Sequence, residues 1–467
     1  MRLDPDLSKP RDKVRPLFES LRREILAGRF AAGELLPSSR QLARELGIAR
    51  GTVNLAIAQL AAEGLVTVEP AAGVRVAIKA QPRRAVTKPA EIRFSQWAER
   101  LPRLPQHGQP AFFATGRLAD EFFPEREWRQ AVKAGRNEAD LLSSTVALSP
   151  AGYLPLRKTI AAHLQYSRGL AAGAENIVIV NGSMQALALT AQLLLEKGRT
   201  GAFEDPGFHG IRAAITMTGA QALALPLDHQ GAQVPKRAAQ LLFLTPASQF
   251  PTGVTMSHAR RSEFTDYARR HNAFIVEDEY DSEFTRLANA PQPLKLIDHD
   301  DRVVYVGSFS RTMFASLRLG YCVLPHALME KFLRARQLYD SFPPALADQA
   351  AMAAFMQAGH YRRHIRRMNR VYRERHDMLL RALSAQFAGA FGFSPSAAGL
   401  SLFGRWLKKR SEFEALGASL SAAGLGWQKV DRYFAQRAEA AAIFGFSHLS
   451  PAQIDAISAR LAVLLRP

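Results

Sequence analysis

The chain has 467 residues, enough for two or more domains with a large core. Hydrophobic residues make up 47%, an ordinary globular composition, and no apolar run reaches the roughly 18–20 residues of a membrane span. These figures exclude a disordered chain and a helical membrane span, while a formal charge of +19 and a pI near 10.4 suit a polyanionic partner.

That partner is nucleic acid or an anionic membrane surface. The basic residues are spread along the chain with no amphipathic basic helix, which disfavours the membrane. Met1 to Arg15 carries charges of both signs and no apolar block, so no secretory signal is expected. The single cysteine, Cys322, has no disulfide partner in the chain and fits a reducing cytoplasm. No Cys/His spacing suggests a zinc site.

The first element is a helix over Pro16–Arg29, whose apolar stripe is Leu17, Phe18, Leu21, Ile25 and Leu26. Leu36-Pro37-Ser38-Ser39-Arg40 follows, where Ser38 or Ser39 can cap a second helix over Arg40–Leu46 that stops at Gly47. A third helix starts near Arg50 or Gly51, buries Val53, Ile57 and Leu60, and ends at Glu63-Gly64. Two helices joined by a tight glycine turn make a helix-turn-helix, whose second helix enters the major groove N-terminal end first. Arg50, Gly51, Thr52 and Asn54 would then face base edges or phosphates, with Arg40 near a backbone phosphate and Ser38 and Ser39 counted among the DNA-binding residues. Leu65–Val68 and Val74–Ala77 read as a two-stranded wing around Pro70–Gly73. Residues 1–90 hold 16 Lys and Arg against 9 Asp and Glu, an excess suited to phosphate contact.

The run from Gly28 through Leu36-Pro37-Ser38-Ser39-Arg40-Gln41-Leu42-Ala43, with Arg50-Gly51-Thr52-Val53 and Leu60 to Leu65, closely resembles the GntR family of bacterial winged-helix repressors. The resemblance covers about 65 residues, enough for one such module. It departs at the wing tip, where Ala71-Ala72-Gly73 stands in for the usual pair of glycines. On this reading residues 11–79 form the DNA-binding domain and 80–110, rich in proline and basic residues, form a linker.

Residues 111–467 alternate strand-like runs with helical stretches. Ile177–Val180, Leu241–Thr245, Phe274–Glu277 and Val303–Val306 are the strands; Gln185–Glu196 and Ser257–Arg270 are helices between them. This order implies an α/β fold with a mainly parallel central sheet and functional loops at the carboxyl ends of its strands. The tail from about Ala345 is mostly helical, with strand-like Leu400–Phe403 and Ala442–Phe446, and reads as a smaller α+β subdomain.

Six short signatures occur in order: Gly152 to Arg157, Asn181 to Leu187, Glu204 to Phe208, Thr245 to Gly253, Glu277 to Phe284, and Gly307 to Thr312 with Arg318 to Tyr321. Together they resemble a fold-type I aminotransferase, and behind a GntR-type reader the whole chain resembles the MocR subfamily of regulators. The resemblance implies a homodimer whose aminotransferase-like domain senses a small molecule and dimerises. It also implies a pyridoxal phosphate pocket. Gly182, Ser183 and Met184 open a helix and would hold the phosphate, with Ser308 and Arg318 adding contacts. Asp278 would pair with the pyridine nitrogen, Tyr280 would reach the ring hydroxyl, Phe208 would pack near the ring, and Gln249 belongs to the same pocket.

Position 311 breaks the pattern. The family carries there the lysine that forms an aldimine with pyridoxal phosphate, and this chain has Arg311. A guanidinium stays protonated and is no amine nucleophile, so it offers donors to an anion instead. The nearest upstream lysine, Lys295, lies outside the motif. Other family features are missing too. Ala247-Ser248 replaces a serine and a histidine, Ser401 replaces a histidine, and Ile443 stands where the carboxylate-clamping arginine is expected. The expected function is therefore a DNA-binding transcription regulator, cytoplasmic and non-catalytic, recognising a double-stranded operator and an unidentified effector. Three cofactor states follow: pyridoxal phosphate held without a lysine link, no pyridoxal phosphate, or another anion in its place. The competing reading is an active pyridoxal-phosphate-dependent aminotransferase.

Overall fold

A computed structural model describes residues 13–69, 72–77, 93–101, 112–143, 149–286, 292–340, 345–394, 396, 398–436 and 438–465. They fall into two compact units that divide between Arg93 and Phe94. Of the stretch read as a linker, 93–101 is described and carries a short helix, Gln96–Glu99, capped by Ser95; the rest lies outside the described residues, as do Pro70 and Ala71 of the wing tip.

The first unit contains α1 (Val14–Leu26), α2 (Ser39–Leu46), α3 (Arg50–Ala62), β1 (Val66–Glu69) and β2 (Gly73–Val76). Ser38, not Ser39, is the cap of α2, its Oγ accepting from the Gln41 N–H at 3.2 Å. Gly47 ends α2 with φ +63°, a left-handed conformation that favours glycine. Leu17, Leu21, Ile25, Leu42, Val53, Ile57 and Leu60 fill the core with Val66 and Val76 from the wing. Leu26, expected on the buried stripe, is 43% exposed, because the helix ends there and the residue falls past its inner face. The wing strands pair antiparallel with Val66 opposite Val76.

The second unit is built on an eight-stranded sheet. Its strands are β3 (Ile177–Val180), β4 (Thr200–Asp205), β5 (Gln221–Asp228), β6 (Gly231–Ala232), β7 (Leu241–Leu244), β8 (Phe274–Glu279), β9 (Val303–Ser308) and β10 (Gly320–Val323). The spatial order is β3-β10-β9-β8-β7-β4-β5-β6. Strands β5, β4, β7, β8 and β9 run parallel; β10 is antiparallel to both its neighbours. All four residues of β3, β7 and β10 are buried, as expected for a sheet covered on both faces by helices.

A second sheet, β11 (Phe391–Phe393), β12 (Ser401–Trp406), β13 (Gln428–Lys429) and β14 (Ala441–Gly445), has the order β11-β12-β14-β13 and is antiparallel throughout. The helices His360–Gln386 and Pro451–Leu464 bury Leu379, Leu383, Ile454 and Leu461 in the core this sheet shares. This is the smaller α+β part expected of the tail. No helix among the described residues is long and apolar enough to cross a membrane, and no group of three metal-ligating side chains is found among them.

Candidate functional site

In the first unit the exposed side of α3 presents Arg50, Gly51, Asn54, Leu55, Ala58 and Gln59, while Thr52 is half-buried. Arg50 Nε donates to Ser39 Oγ at 3.3 Å, which ties the start of α3 to the start of α2. Ser38 spends its hydroxyl on the cap. Arg22, Arg29 and Arg75 are paired with Glu63, Glu24 and Glu69. Arg40, Arg44 and Arg50 make no ion pair among the described residues, so their charge is available to an incoming anion. Arg44 and Leu55 were not singled out from sequence. Leu55, 59% exposed, is an apolar side chain where a soluble surface favours a polar one.

In the second unit a cavity of about 330 Å³ opens at the carboxyl ends of the parallel strands. Of the expected pocket residues, Gly182, Ser183, Met184, Phe208, Asp278, Tyr280, Ser308, Arg311 and Arg318 line it. Each is delivered by a strand end. Gly182 to Met184 follow β3 and open the helix Ser183–Leu194. Phe208 follows β4 and caps the helix His209–Met217. Asp278 lies on β8 with Tyr280 just after it, and Ser308 ends β9 with Arg311 three residues on. Arg318 precedes β10 in a left-handed conformation, φ +51°. Its guanidinium comes within 3.5 Å of the Asn181 carbonyl. Gly182, with φ +76°, makes room for it: a Cβ there would lie 3.0 Å from Arg318 Nη2.

Gln249 does not line the cavity. It is 1% exposed, and its amide donates to the carbonyls of Pro206 and Phe250 at 2.8 and 2.5 Å while accepting from Thr252. Every polar atom is used internally, so Gln249 braces the loop behind the site instead of facing a ligand.

Residues that sequence reasoning missed complete the wall: Thr115, His209, Thr245, Phe250, Ser310, Arg432 and Tyr433. Arg432 and Tyr433 come from between β13 and β14. Their segment is docked by the Gly207 N–H to the Tyr433 carbonyl at 2.9 Å and by the Ala435 N–H to Asp205 Oδ1 at 2.7 Å. Phe250 makes edge-to-face contacts with Phe208, Tyr280 and Tyr433 at centroid distances of 6.2, 5.8 and 4.9 Å. The cavity therefore has an aromatic side suited to a planar ring.

The floor is acidic and under-satisfied. Asp278 is 7% exposed and its Oδ1 has no hydrogen-bond partner. Burial, with the charges of Glu279, Glu204 and Asp281, pushes its carboxyl up to about 7, against the pull of Arg311. Burial likewise raises Glu204 to about 7, although Thr245 and Gln249 hydrogen-bond it. Burial and Asp281 hold the Tyr280 phenol well above its ordinary range. Burial, then Arg432 and Arg212, lower His209, which keeps its imidazole neutral near neutral pH. Arg311 approaches Asp281 at 3.7 Å and lies 6.0 Å above the Tyr280 ring.

No lysine lines the cavity among the described residues. Lys295 pairs with Asp301 and Asp298 at 2.7 and 3.6 Å, away from the site. Ile443 is fully buried on β14 in a cluster with Phe403, Val430 and Tyr433, so it packs where a clamp was expected.

Comparison with known proteins returns two families. Residues 14–76 match bacterial regulatory proteins of the gntR family, and residues 115–421 match aminotransferase class I and II. The chain is similar to a probable rhizopine catabolism regulatory protein, MocR, of Rhizobium meliloti: 30% identity, over 96% of this chain and 92% of that one. It is 33% identical to the HTH-type transcriptional regulator TauR of Rhodobacter capsulatus, over 95% of this chain and 94% of that one. Among solved structures, the kynurenine aminotransferase of Pyrococcus horikoshii shares the fold, with TM-score 0.71 and 21% identity over 80% of this chain and 96% of that one.

Proposed function

The chain belongs to the gntR-type regulators that carry an aminotransferase class I and II domain, and from this and its similarity to MocR and TauR we propose a DNA-binding transcription regulator whose large domain binds an anionic ligand without catalysing amino-group transfer. The observation that carries the second half is Arg311 in the cavity wall with no lysine beside it among the lining residues.

The residues present fit pyridoxal phosphate held by non-covalent contacts alone. The phosphate would sit on the free N–H groups at the start of the helix Ser183–Leu194, with Arg318 and Ser308 beside them. Asp278, whose Oδ1 is buried and unpartnered, would accept a hydrogen bond from a protonated ring nitrogen, and pairing would hold it ionised. Tyr280 would face the ring hydroxyl and Phe208 the ring. The cofactor, when bound, supplies an electron-withdrawing ring that stabilises charge on an attached amino acid. Arg311 remains a guanidinium at any physiological pH, so it neither attaches covalently nor shuttles a proton.

Arg40, Arg44 and Arg50 would contact DNA phosphates, with Gly51 and Asn54 of α3 facing the bases in the major groove. A homodimer completes the proposal. Leu338 and Tyr339, 85% and 63% exposed just after the helix His326–Gln337, offer apolar surface for a second copy.

The test takes the full chain. A gel shift with DNA from upstream of its own gene should show saturable binding. Incubation with pyridoxal phosphate followed by borohydride reduction should leave no phosphopyridoxyl group covalently fixed to a cavity residue, as peptide mapping reads it, and amino donors and acceptors should give no transfer. A phosphopyridoxyl group fixed to a cavity residue or measurable transfer would overturn the non-catalytic reading; absence of any DNA binding would overturn the regulator.

A further inference from the structure

We infer that Arg311 makes the cavity a receptor for a phosphorylated heteroaromatic carboxylate, with the guanidinium paired to the ligand's carboxylate where a lysine link would otherwise form. This rests on the reading that the cavity holds a phosphorylated pyridine without a covalent bond.

Charge is the first argument. Among the described residues, the charged side chains that line the cavity are three arginines, Arg311, Arg318 and Arg432, against one carboxyl, Asp278. With Asp278 spent on the protonated ring nitrogen, a phosphate, which carries at most about two negative charges, offsets two of the arginines, and a second anionic group on the ligand meets the third.

The position of Arg311 says where that group belongs. Arg318 serves the Gly182 end of the cavity, with Nη2 toward the Asn181 carbonyl. Arg311 has a different set of neighbours, Asp281, Tyr280 and Gly116. Its distance of 3.7 Å to Asp281 is longer than a hydrogen-bonded ion pair, and Asp281 Oδ1, on a residue 5% exposed, accepts no hydrogen bond. The guanidinium is thus oriented by a carboxylate without being consumed by it. Its side chain keeps 23% of its exposure, so donors remain open to a ligand.

Chemistry selects among ligands. An aldehyde or alcohol at this point brings no charge to the guanidinium and at most one weak acceptor. A carboxylate is planar, accepts two parallel N–H bonds, and matches the guanidinium fork. Arg432, over the Tyr433 ring at 4.8 Å and bonded to its hydroxyl, adds positive potential to the cavity.

Three probes that differ only at that substituent test this by calorimetric titration of the full chain: pyridoxal 5′-phosphate, pyridoxine 5′-phosphate and 4-pyridoxic acid 5′-phosphate. The carboxylate should bind tightest, by about tenfold or more over the alcohol. Arg311→Met should remove that preference, weakening the carboxylate by about tenfold or more beyond its effect on the alcohol. Arg311→Lys should favour the aldehyde and, after borohydride reduction, carry a phosphopyridoxyl group covalently fixed at position 311. Equal affinity for all three probes, or Arg311→Met weakening all three alike, overturns the role of Arg311 and leaves the non-covalent pocket standing. No binding of any probe overturns both. The probe series on the unaltered chain does not depend on any variant folding.

Discussion

Arg311 Nε lies 3.7 Å from Asp281 Oδ1, and this pair stands at the position where the aminotransferase resemblance calls for a lysine. Burial raises the Asp281 carboxyl above its ordinary value, and Arg311 is the main charge that opposes this. Removing Arg311 raises it further. A carboxyl whose folded pKa is raised loses stability as pH rises toward that pKa, because the unfolded chain has already released its proton. Arg311→Met should therefore cost more at pH 8 than at pH 5, about 1–2 kcal/mol at the higher pH after allowance for the partial exposure of the arginine. Thermal unfolding at the two pH values measures it; an equal loss at both would mean the pair is not electrostatic.

Asp278 makes a related prediction of opposite sign. Its carboxyl is pushed up to about 7, so the folded chain holds a proton that the unfolded chain releases near pH 4. Between those values stability falls as pH rises. Asp278→Asn removes the cost of a buried, unpartnered charge and should raise the melting temperature by a few degrees at pH 8 with little change at pH 5. The same substitution should weaken binding of any ligand with a protonated ring nitrogen. A melting temperature that drops at pH 8 would show that the Asp278 carboxylate is satisfied in the folded protein.

Gly182→Ala tests the anion cradle. Its φ of +76° disfavours a side chain, and the added Cβ meets Arg318 Nη2 at 3.0 Å. The backbone term should cost about 1–3 kcal/mol of stability, since this φ/ψ region is nearly exclusive to glycine. Displacement of Arg318 should weaken phosphate-bearing ligands by more than that stability loss alone suggests. Titration with pyridoxine 5′-phosphate reads the second effect, and undiminished affinity would place the phosphate elsewhere.

The two-unit architecture was legible because each signal was local. Alternation of Ile177–Val180 with a helical stretch, a serine before α2 and a glycine after it are read within a few residues. Strands β4, β5 and β10 were missed. Thr200–Asp205 has a glycine, Gln221–Asp228 has no β-branched residue and holds a proline, and Gly320–Val323 starts with a glycine and has a single β-branched residue, so none stands out as a β-branched run. In the cavity, residues inside a recognisable motif were found. Thr115 and Arg432 were not, because they reach the site through long-range packing. Gly445 donates to the Phe113 carbonyl at 2.9 Å, and Gly207 donates to that of Tyr433. Gln249 shows the converse error. Its motif places it in the loop, but only the hydrogen-bond partners reveal that its amide is turned inward.

The exposed face of α3 yields two separable effects. Arg50 is a cation at the N-terminal end of the helix, so its contribution to DNA binding is mostly electrostatic. Arg50→Ala should weaken binding to all sequences and reduce the slope of log affinity against log salt by about 0.9, the value for one phosphate contact. Leu55 is apolar and 59% exposed, next to Asn54, on the side of the helix that faces away from Val53, Ile57 and Leu60. In the major groove an apolar side chain reads the thymine methyl, and an asparagine reads adenine. Leu55→Ala should leave the salt slope unchanged and relax base preference at one position, at a cost of about 1–3 kcal/mol for the preferred base. Selection from a random DNA library with the full chain and with the variant, followed by thymine-to-uracil substitution at the affected position, measures this directly. An unaltered selected sequence would remove Leu55 from the reading face, and a changed salt slope for Leu55→Ala would show that the two effects are not separable.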